Sequence, residues 1–169
     1  MSLSFDGVDD VVASDATQTL GASITIAAWI NPTSVGEGGT GVILGQGVSD
    51  PPRCVLNLST AGTPRLAFRI RRSVANGIWD TANSTIVLAT WQHVAVTIDT
   101  FTTDANDPAF YINGVVSALN TDTNGAGAED ADNATVRVGN SSTGDQTFDG
   151  LIAEVAIWTR VLTAAEIAA

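Results

Sequence analysis

The run Trp91-Gln92-His93-Val94-Ala95-Val96-Thr97-Ile98-Asp99, answered by Ala109-Phe110-Tyr111-Ile112-Asn113-Gly114-Val115-Val116, decides the fold. Val94, Val96 and Ile98 share one face and His93, Ala95 and Thr97 the other, the period-two alternation of a half-buried strand. In the answering run Asn113-Gly114 sits between two apolar segments. A type I′ turn needs positive φ at both central residues, which Asn and Gly tolerate best, so this dipeptide predicts a hairpin. Three strands are expected here, with 100–108 as a polar loop between the first two.

Working outward, the same alternation recurs. Ser23 to Ile30 places Ile24, Ile26, Ala28 and Ile30 against Ser23, Thr25, Ala27 and Trp29, and Asn31-Pro32 ends the run because Pro cannot donate to a ladder. Leu3-Ser4-Phe5, Val11-Val12-Ala13 and Val42-Ile43-Leu44 read as short strands. Val55 to Leu58 and Arg65 to Arg71 form an expected hairpin, entered through a turn at Asp50-Pro51-Pro52. Val136-Arg137-Val138 and Leu151 to Trp158 are the last strands. Asn120 to Asn133, rich in Asp, Asn, Gly and Ala without periodicity, is read as a surface loop. Thr163-Ala164-Ala165-Glu166 has capping-box spacing and predicts a short C-terminal helical turn. Many evenly spaced strands with almost no helix indicate an all-β, two-sheet antiparallel sandwich occupying residues 1–169 as a single domain.

Composition narrows the function. A chain of 169 residues buries roughly 70% of its unfolded surface, so its stability requires no cofactor. Cys54 is the only thiol, so no intrachain disulfide forms, and it reads as a small buried residue. The net charge of −11, with seven Arg and no Lys, repels nucleic acid and anionic lipid. No run of about 18 apolar residues is present to cross a membrane. Met1 to Gly7 lacks the basic and apolar regions of a secretory signal, which leaves a trimmed mature domain or a protein assembled in the cytoplasm.

With these pieces in order, the chain resembles the laminin-G-like jellyroll domains of the concanavalin A-like lectin/glucanase superfamily. The resemblance is carried by Phe5-Asp6-Gly7-Val8-Asp9-Asp10, Ile26-Ala27-Ala28-Trp29-Ile30, Trp91-Gln92-His93-Val94-Ala95-Val96 and Tyr111-Ile112-Asn113-Gly114. Phe148-Asp149-Gly150-Leu151-Ile152-Ala153-Glu154-Val155-Ala156-Ile157-Trp158, Arg160-Val161-Leu162-Thr163 and Glu166 complete it. It implies a jellyroll of two curved antiparallel sheets with six or seven strands each. It implies no single function, since such domains bind glycans, mediate adhesion or act as spacers, and relatives include glycanases and lyases.

Four groups of residues are candidates for chemistry. Asp6, Asp9 and Asp10 cluster in one short loop and read either as hard oxygen ligands for Ca²⁺ or as turn-forming aspartates that bond their own backbone. The resemblance adds Glu154 from the last strand to that set and implies a structural Ca²⁺, although Ala153 stands where the family commonly has Asp. A glycanase of this superfamily needs Glu-x-Asp-x-x-Glu on one strand, and Glu37, Glu129, Glu154 and Glu166 lack that spacing. With His93 as the only histidine and read as structural, no enzyme is expected. Trp29, Trp91 and Trp158 are read as core framework, whereas Trp79, in a loop with polar neighbours, is the aromatic candidate for ligand contact. Arg53, Arg65, Arg69, Arg71 and Arg72 fall within twenty residues and are expected to form an interface for a protein partner or a second copy, with the acidic stretch 122–132 as counterpart.

These readings give a non-catalytic recognition and assembly module. Its leading placement is a decoration-type protein on a virion or particle surface. The alternative is a glycan-binding module of a secreted or cell-surface protein, and a polysaccharide hydrolase or lyase comes third.

Overall fold

In the computed structural model, residues 1–47, 53–59, 63–99, 107–128 and 133–169 are described. They form two antiparallel sheets packed face to face. One has six strands: β1 (Ser2–Asp6), β3 (Ile24–Pro32), β8 (Gln92–Ile98), β9 (Ala109–Ile112), β10 (Val115–Ser117) and β13 (Asp149–Trp158). Its order is β1-β13-β3-β8-β9-β10. The other has seven: β2 (Val12–Ala13), β4 (Val42–Gln46), β5 (Cys54–Ser59), β6 (Arg65–Ile70), β7 (Gly77–Thr81), β11 (Leu119–Thr123) and β12 (Val136–Val138). It is ordered β11-β7-β6-β5-β4-β12-β2. A single helical turn, α1 (Ala164–Ile167), follows the last strand.

The expected hairpin at Asn113-Gly114 is present. Both residues have positive φ (51° and 76°), and Val115 stands opposite Ile112. The expected partner of β6 is also in place, with Leu56 opposite Phe68 and Leu58 opposite Leu66. Alternation sends Ile24, Ile26, Ala28, Ile30, Val94, Val96 and Ile98 from one sheet, and Leu56, Leu58, Leu66, Phe68 and Ile70 from the other, into one buried cluster. Each fully buried Leu, Ile or Phe contributes roughly 1.5–3 kcal/mol. Where the sheets meet at one edge, Phe5 packs edge-on to Phe148 with centroids 6.3 Å apart. A side chain on Gly139 would strike the Phe5 ring, so this position admits only hydrogen.

Two expectations are corrected. Overlapping the stretch read as a surface loop from Asn120, Leu119–Thr123 is an edge strand paired with β7, and Ala126 bridges Ala75. Edge strands are held by backbone hydrogen bonds and need no apolar period, which is why composition hid this one. Trp79 lies in β7, is 3% exposed and faces the core. A Cβ on Gly77 would lie 2.3 Å from its indole, so the glycine makes room for the ring. The turn expected at Asp50-Pro51-Pro52, most of the loop from 100 to 108, and 129–132 lie outside the described residues.

A second, smaller apolar cluster sits on the outer face of the six-stranded sheet. Ala27, Ala95 and Tyr111 lie side by side there, beneath Leu162 and Ile167. The small side chains at 27 and 95 let the C-terminal segment settle on the sheet. Thr25 Oγ1 donates to the Arg160 carbonyl and accepts from the Leu162 N–H, tying the segment down. The expected capping box is complete: Thr163 Oγ1 accepts from the Glu166 N–H, and Glu166 Oε2 accepts from the Thr163 N–H. Arg160 adds an ion pair to Glu166 at 2.7 Å, and these bonds hold the Glu166 carboxyl well down, at about 2.

Candidate functional site

The C-terminal segment covers only part of that outer face. The next row across the sheet is Trp29 opposite His93, with Asn113 donating its backbone N–H to the His93 carbonyl. Trp91 follows in the same phase. Trp29 is 38% exposed and Trp91 40%. Both were expected in the core, and the structure places both outside it. The signal was the phase of the strands: Trp29 alternates with Ile26, Ala28 and Ile30, and Trp91 is in phase with His93 and Ala95, so both share the face away from the core.

Glu154 completes the row through a β-bulge. In the pairing of β13 with β3, Ala153 faces Trp29 and Ala156 faces Ala27, so Glu154 and Val155 both stand opposite Ala28. Val155 packs against the core, while Glu154 adopts φ 49° and is exposed. A bulge re-aims the side chain it carries, and a non-glycine residue in the left-handed region is strained. Here the bulge turns a carboxylate toward the two tryptophans.

Together these residues line a depression of about 570 Å³, bordered by Trp29, Trp91, His93, Asn113, Glu154 and Ile167. A shallower hollow of about 240 Å³ adjoins it over Ala153 and shares Trp29, Trp91 and Glu154. The His93 ring lies 5.6 Å from Trp29 at a 56° tilt. Partial burial holds the His93 pKa below its ordinary value, while the Glu154 charge pulls it upward. Neutral imidazole therefore dominates at neutral pH, offering one donor and one acceptor. Two aromatic faces beside a carboxylate and an imidazole can stack on a ring and hydrogen-bond its substituents.

The other expected site residues are placed as follows. Trp79 is no ligand platform; its Nε1 donates to Asp107 Oδ1 at 3.2 Å. The carboxylate oxygens of Asp6, Asp9 and Asp10 lie within 4.8 Å of one another, a donor set of the kind a hard cation takes. Two of these groups already bond their own loop: Asp6 Oδ1 accepts from the Val8 N–H, and Asp10 Oδ2 from the Asp6 N–H. Glu154 does not join them. Asp6 pairs with Asp149, five residues before Glu154 and so about 16 Å along the strand. Asp149 is the acidic residue that the topology brings opposite this loop, and only the pairing reveals it.

The arginines do not form one exposed face. Arg65, Arg69 and Arg71 do point outward, opposite Leu66, Phe68 and Ile70, as the pleat requires. Arg53, however, is 3% exposed and donates to Gln46 Oε1 and the Gly21 carbonyl. Arg72 is 9% exposed and donates to the Gly127 carbonyl. Arg65 pairs with Asp80 at 3.1 Å and donates to Asn83 Oδ1. Arg53 and Arg72 therefore act inside the fold, while Arg65, Arg69 and Arg71 are half-buried on the outer face, Arg65 held there by Asp80.

A family model described as the concanavalin A-like lectin/glucanases superfamily matches residues 5–168. No curated protein matches the chain. Among solved structures, the chain is similar to the heptameric SAP-like pentraxin from Limulus polyphemus, with TM-score 0.75 and 19% identity over 99% of this chain and 79% of that one. It is also similar to the CBM40 of the Ruminococcus gnavus IT-sialidase bound to α2,3-sialyllactose, with TM-score 0.68 and 14% identity over 99% and 96%. The Trypanosoma rangeli sialidase aligns with 87% of this chain but only 22% of its own length, with TM-score 0.53 and 18% identity. At these identities the likeness is one of fold.

Proposed function

The chain belongs to the concanavalin A-like lectin/glucanase superfamily, and from that premise we propose that it is a non-catalytic carbohydrate-binding module. We place the sugar on the outer face of the six-stranded sheet. The observation that carries this reading is the pair of exposed tryptophans flanking His93 and Glu154. Exposed aromatic rings stack on the apolar faces of sugar rings, while a carboxylate and an imidazole at the rim bond hydroxyls and set orientation. The shared border of two adjoining hollows gives room for more than one sugar unit.

The similar structures support this alternative over the particle-decoration reading. One is a carbohydrate-binding module with a sialyllactose, whereas a virion role draws nothing from them. A hydrolase reading is weaker, because the sialidase aligns with this chain over only 22% of its length. In the depression Glu154 is the single carboxylate side chain, so the acid and base pair of a glycosidase is missing there among the described residues.

The test is a glycan array of neutral, acidic and basic oligosaccharides, run with wild type and with Trp29→Ala/Trp91→Ala. Binding by wild type that the double variant loses, while its melting curve is kept, supports the site. Wild-type silence across the array, or binding that the double variant retains, sinks it.

A further inference from the structure

The two hollows beside Trp29 and Trp91 have an unusual charge inventory. Their lining residues include no Lys or Arg. Six of the seven arginines are placed elsewhere by the topology. Arg53, Arg65, Arg69, Arg71, Arg72 and Arg137 belong to the seven-stranded sheet or its connections, and Arg160 is engaged by Glu166. The charged side chain that remains is Glu154, for which no hydrogen bond or ion pair is found among the described residues. It is exposed and is turned to this face by a strained bulge. The whole chain, Glu154 included, carries a net charge of −11.

Such a site discriminates by charge. An acidic sugar would bring its carboxylate beside Glu154 with no cation to bind it, a like-charge approach that opposes binding. A neutral sugar would use the tryptophans and leave the carboxylate with hydroxyl contacts alone. A protonated amine on the ring would satisfy both elements. An ammonium is attracted to the negative face of an indole and forms charge-assisted hydrogen bonds with a carboxylate. His93, which donates or accepts as a neutral ring, does not oppose it.

We propose that the Trp29–Trp91–Glu154 face selects amino sugars that carry a free, protonated amine over their N-acetylated, neutral and acidic counterparts. The proposal rests on the glycan-binding reading of the same face and names the ligand class within it. Trp29 and Trp91 supply the stacking surface, Glu154 the counter-charge, and the bulge fixes where that charge stands.

The experiment is titration of the full chain at pH 6.5 with three probes, read by tryptophan fluorescence and calorimetry. The probes are the trisaccharide of β1,4-linked glucosamine, its fully N-acetylated form, and sialyllactose. The amine trisaccharide is expected to bind at least about five-fold tighter than the acetylated one, with sialyllactose weakest. Glu154→Gln should erase that preference without altering the melting curve. Asp15→Asn, which removes one exposed charge beyond β2, should preserve it and so controls for attraction by the whole acidic chain. Equal binding of the amine and acetylated probes overturns the proposal and leaves the glycan reading standing. So does a preference that survives Glu154→Gln or disappears in Asp15→Asn, or sialyllactose binding as tightly as the amine. Binding of neither trisaccharide also overturns it, and the array described above then decides separately whether the face binds glycans at all.

Discussion

The two outward faces of this sandwich are built from the same pleat and come to opposite ends. On the seven-stranded sheet Asn57, Ala67 and Asp80 lie in one row across β5, β6 and β7, and all three are buried although they point away from the core. Arg65 pairs with Asp80, and Arg69 lies half-buried alongside. Asn57 Oδ1, Asp80 Oδ1 and the Nε atoms of Arg65 and Arg69 are sealed from solvent without a hydrogen-bond partner. Atoms shut off in this way are equally shut off from a ligand. On the six-stranded sheet the C-terminal segment covers one half and leaves the other open, with two tryptophans and a carboxylate at the surface. A count of polar and charged residues would choose the first face as the site; accessibility chooses the second.

If this contrast is right, substitutions on the closed face cost stability and those on the open face cost binding. The largest effect expected is from Arg65→Ala. It leaves the nearly buried Asp80 carboxylate without its partner, and chemical denaturation should show a loss of about 2–3 kcal/mol. A change near zero would mean that the closed face is solvated after all. On the open face, Trp29→Ala/Trp91→Ala should weaken glycan binding at least ten-fold, about 1.4 kcal/mol, with less than about 1 kcal/mol lost from stability. A collapse of stability instead would return both rings to a framework role.

Between the two regions stands the C-terminal cover. Thr163→Ala removes the cap of α1 and should cost about 1 kcal/mol by thermal melting, with faster hydrogen exchange confined to 160–168. Calcium tests the far end of β1. If Asp6, Asp9 and Asp10 hold the ion, with Asp149 rather than Glu154 nearby, millimolar Ca²⁺ should stabilise the fold by about 1 kcal/mol, and Asp10→Asn should remove the gain. Identical melting in chelator and in calcium would leave these residues as turn formers.

The smallest effect concerns pH. Burial lowers the folded-state pKa of His93, so the folded form prefers neutral imidazole. Its contribution is whole above the unfolded value of about 6.5 and is lost as pH falls through the lowered folded value. Wild type should therefore lose slightly more melting temperature between pH 7 and 5 than His93→Gln does. Parallel curves would place the ring in water.

Most of the architecture was legible along the chain. Alternation in Ile24 to Ile30 and Val94 to Ile98, the Asn113-Gly114 turn and the Thr163/Glu166 box are local devices, and each appears where its spacing put it. The same alternation already assigned Trp29 and Trp91 to the outer face. Reading them as framework residues set aside the phase of their own strands, and Trp79, whose neighbours Ile78 and Asp80 hid its direction, was chosen in their place.

The sequence by itself therefore determined the class of fold, the faces of the long strands and the local turns and caps, because each depends on residues within a few positions of one another. Tertiary structure alone decided which outward face would be shut. Arg53 and Arg72 turn inward because Gln46, Gly21 and Gly127 arrive from other parts of the chain to accept their hydrogen bonds. Glu154 reaches the tryptophans because two residues of β13 must fit opposite one of β3, and it misses Asp6 because register sets Asp149 there. Accessibility is a property of what packs above a residue, and that neighbour comes from a distant segment which no period or spacing along the chain specifies.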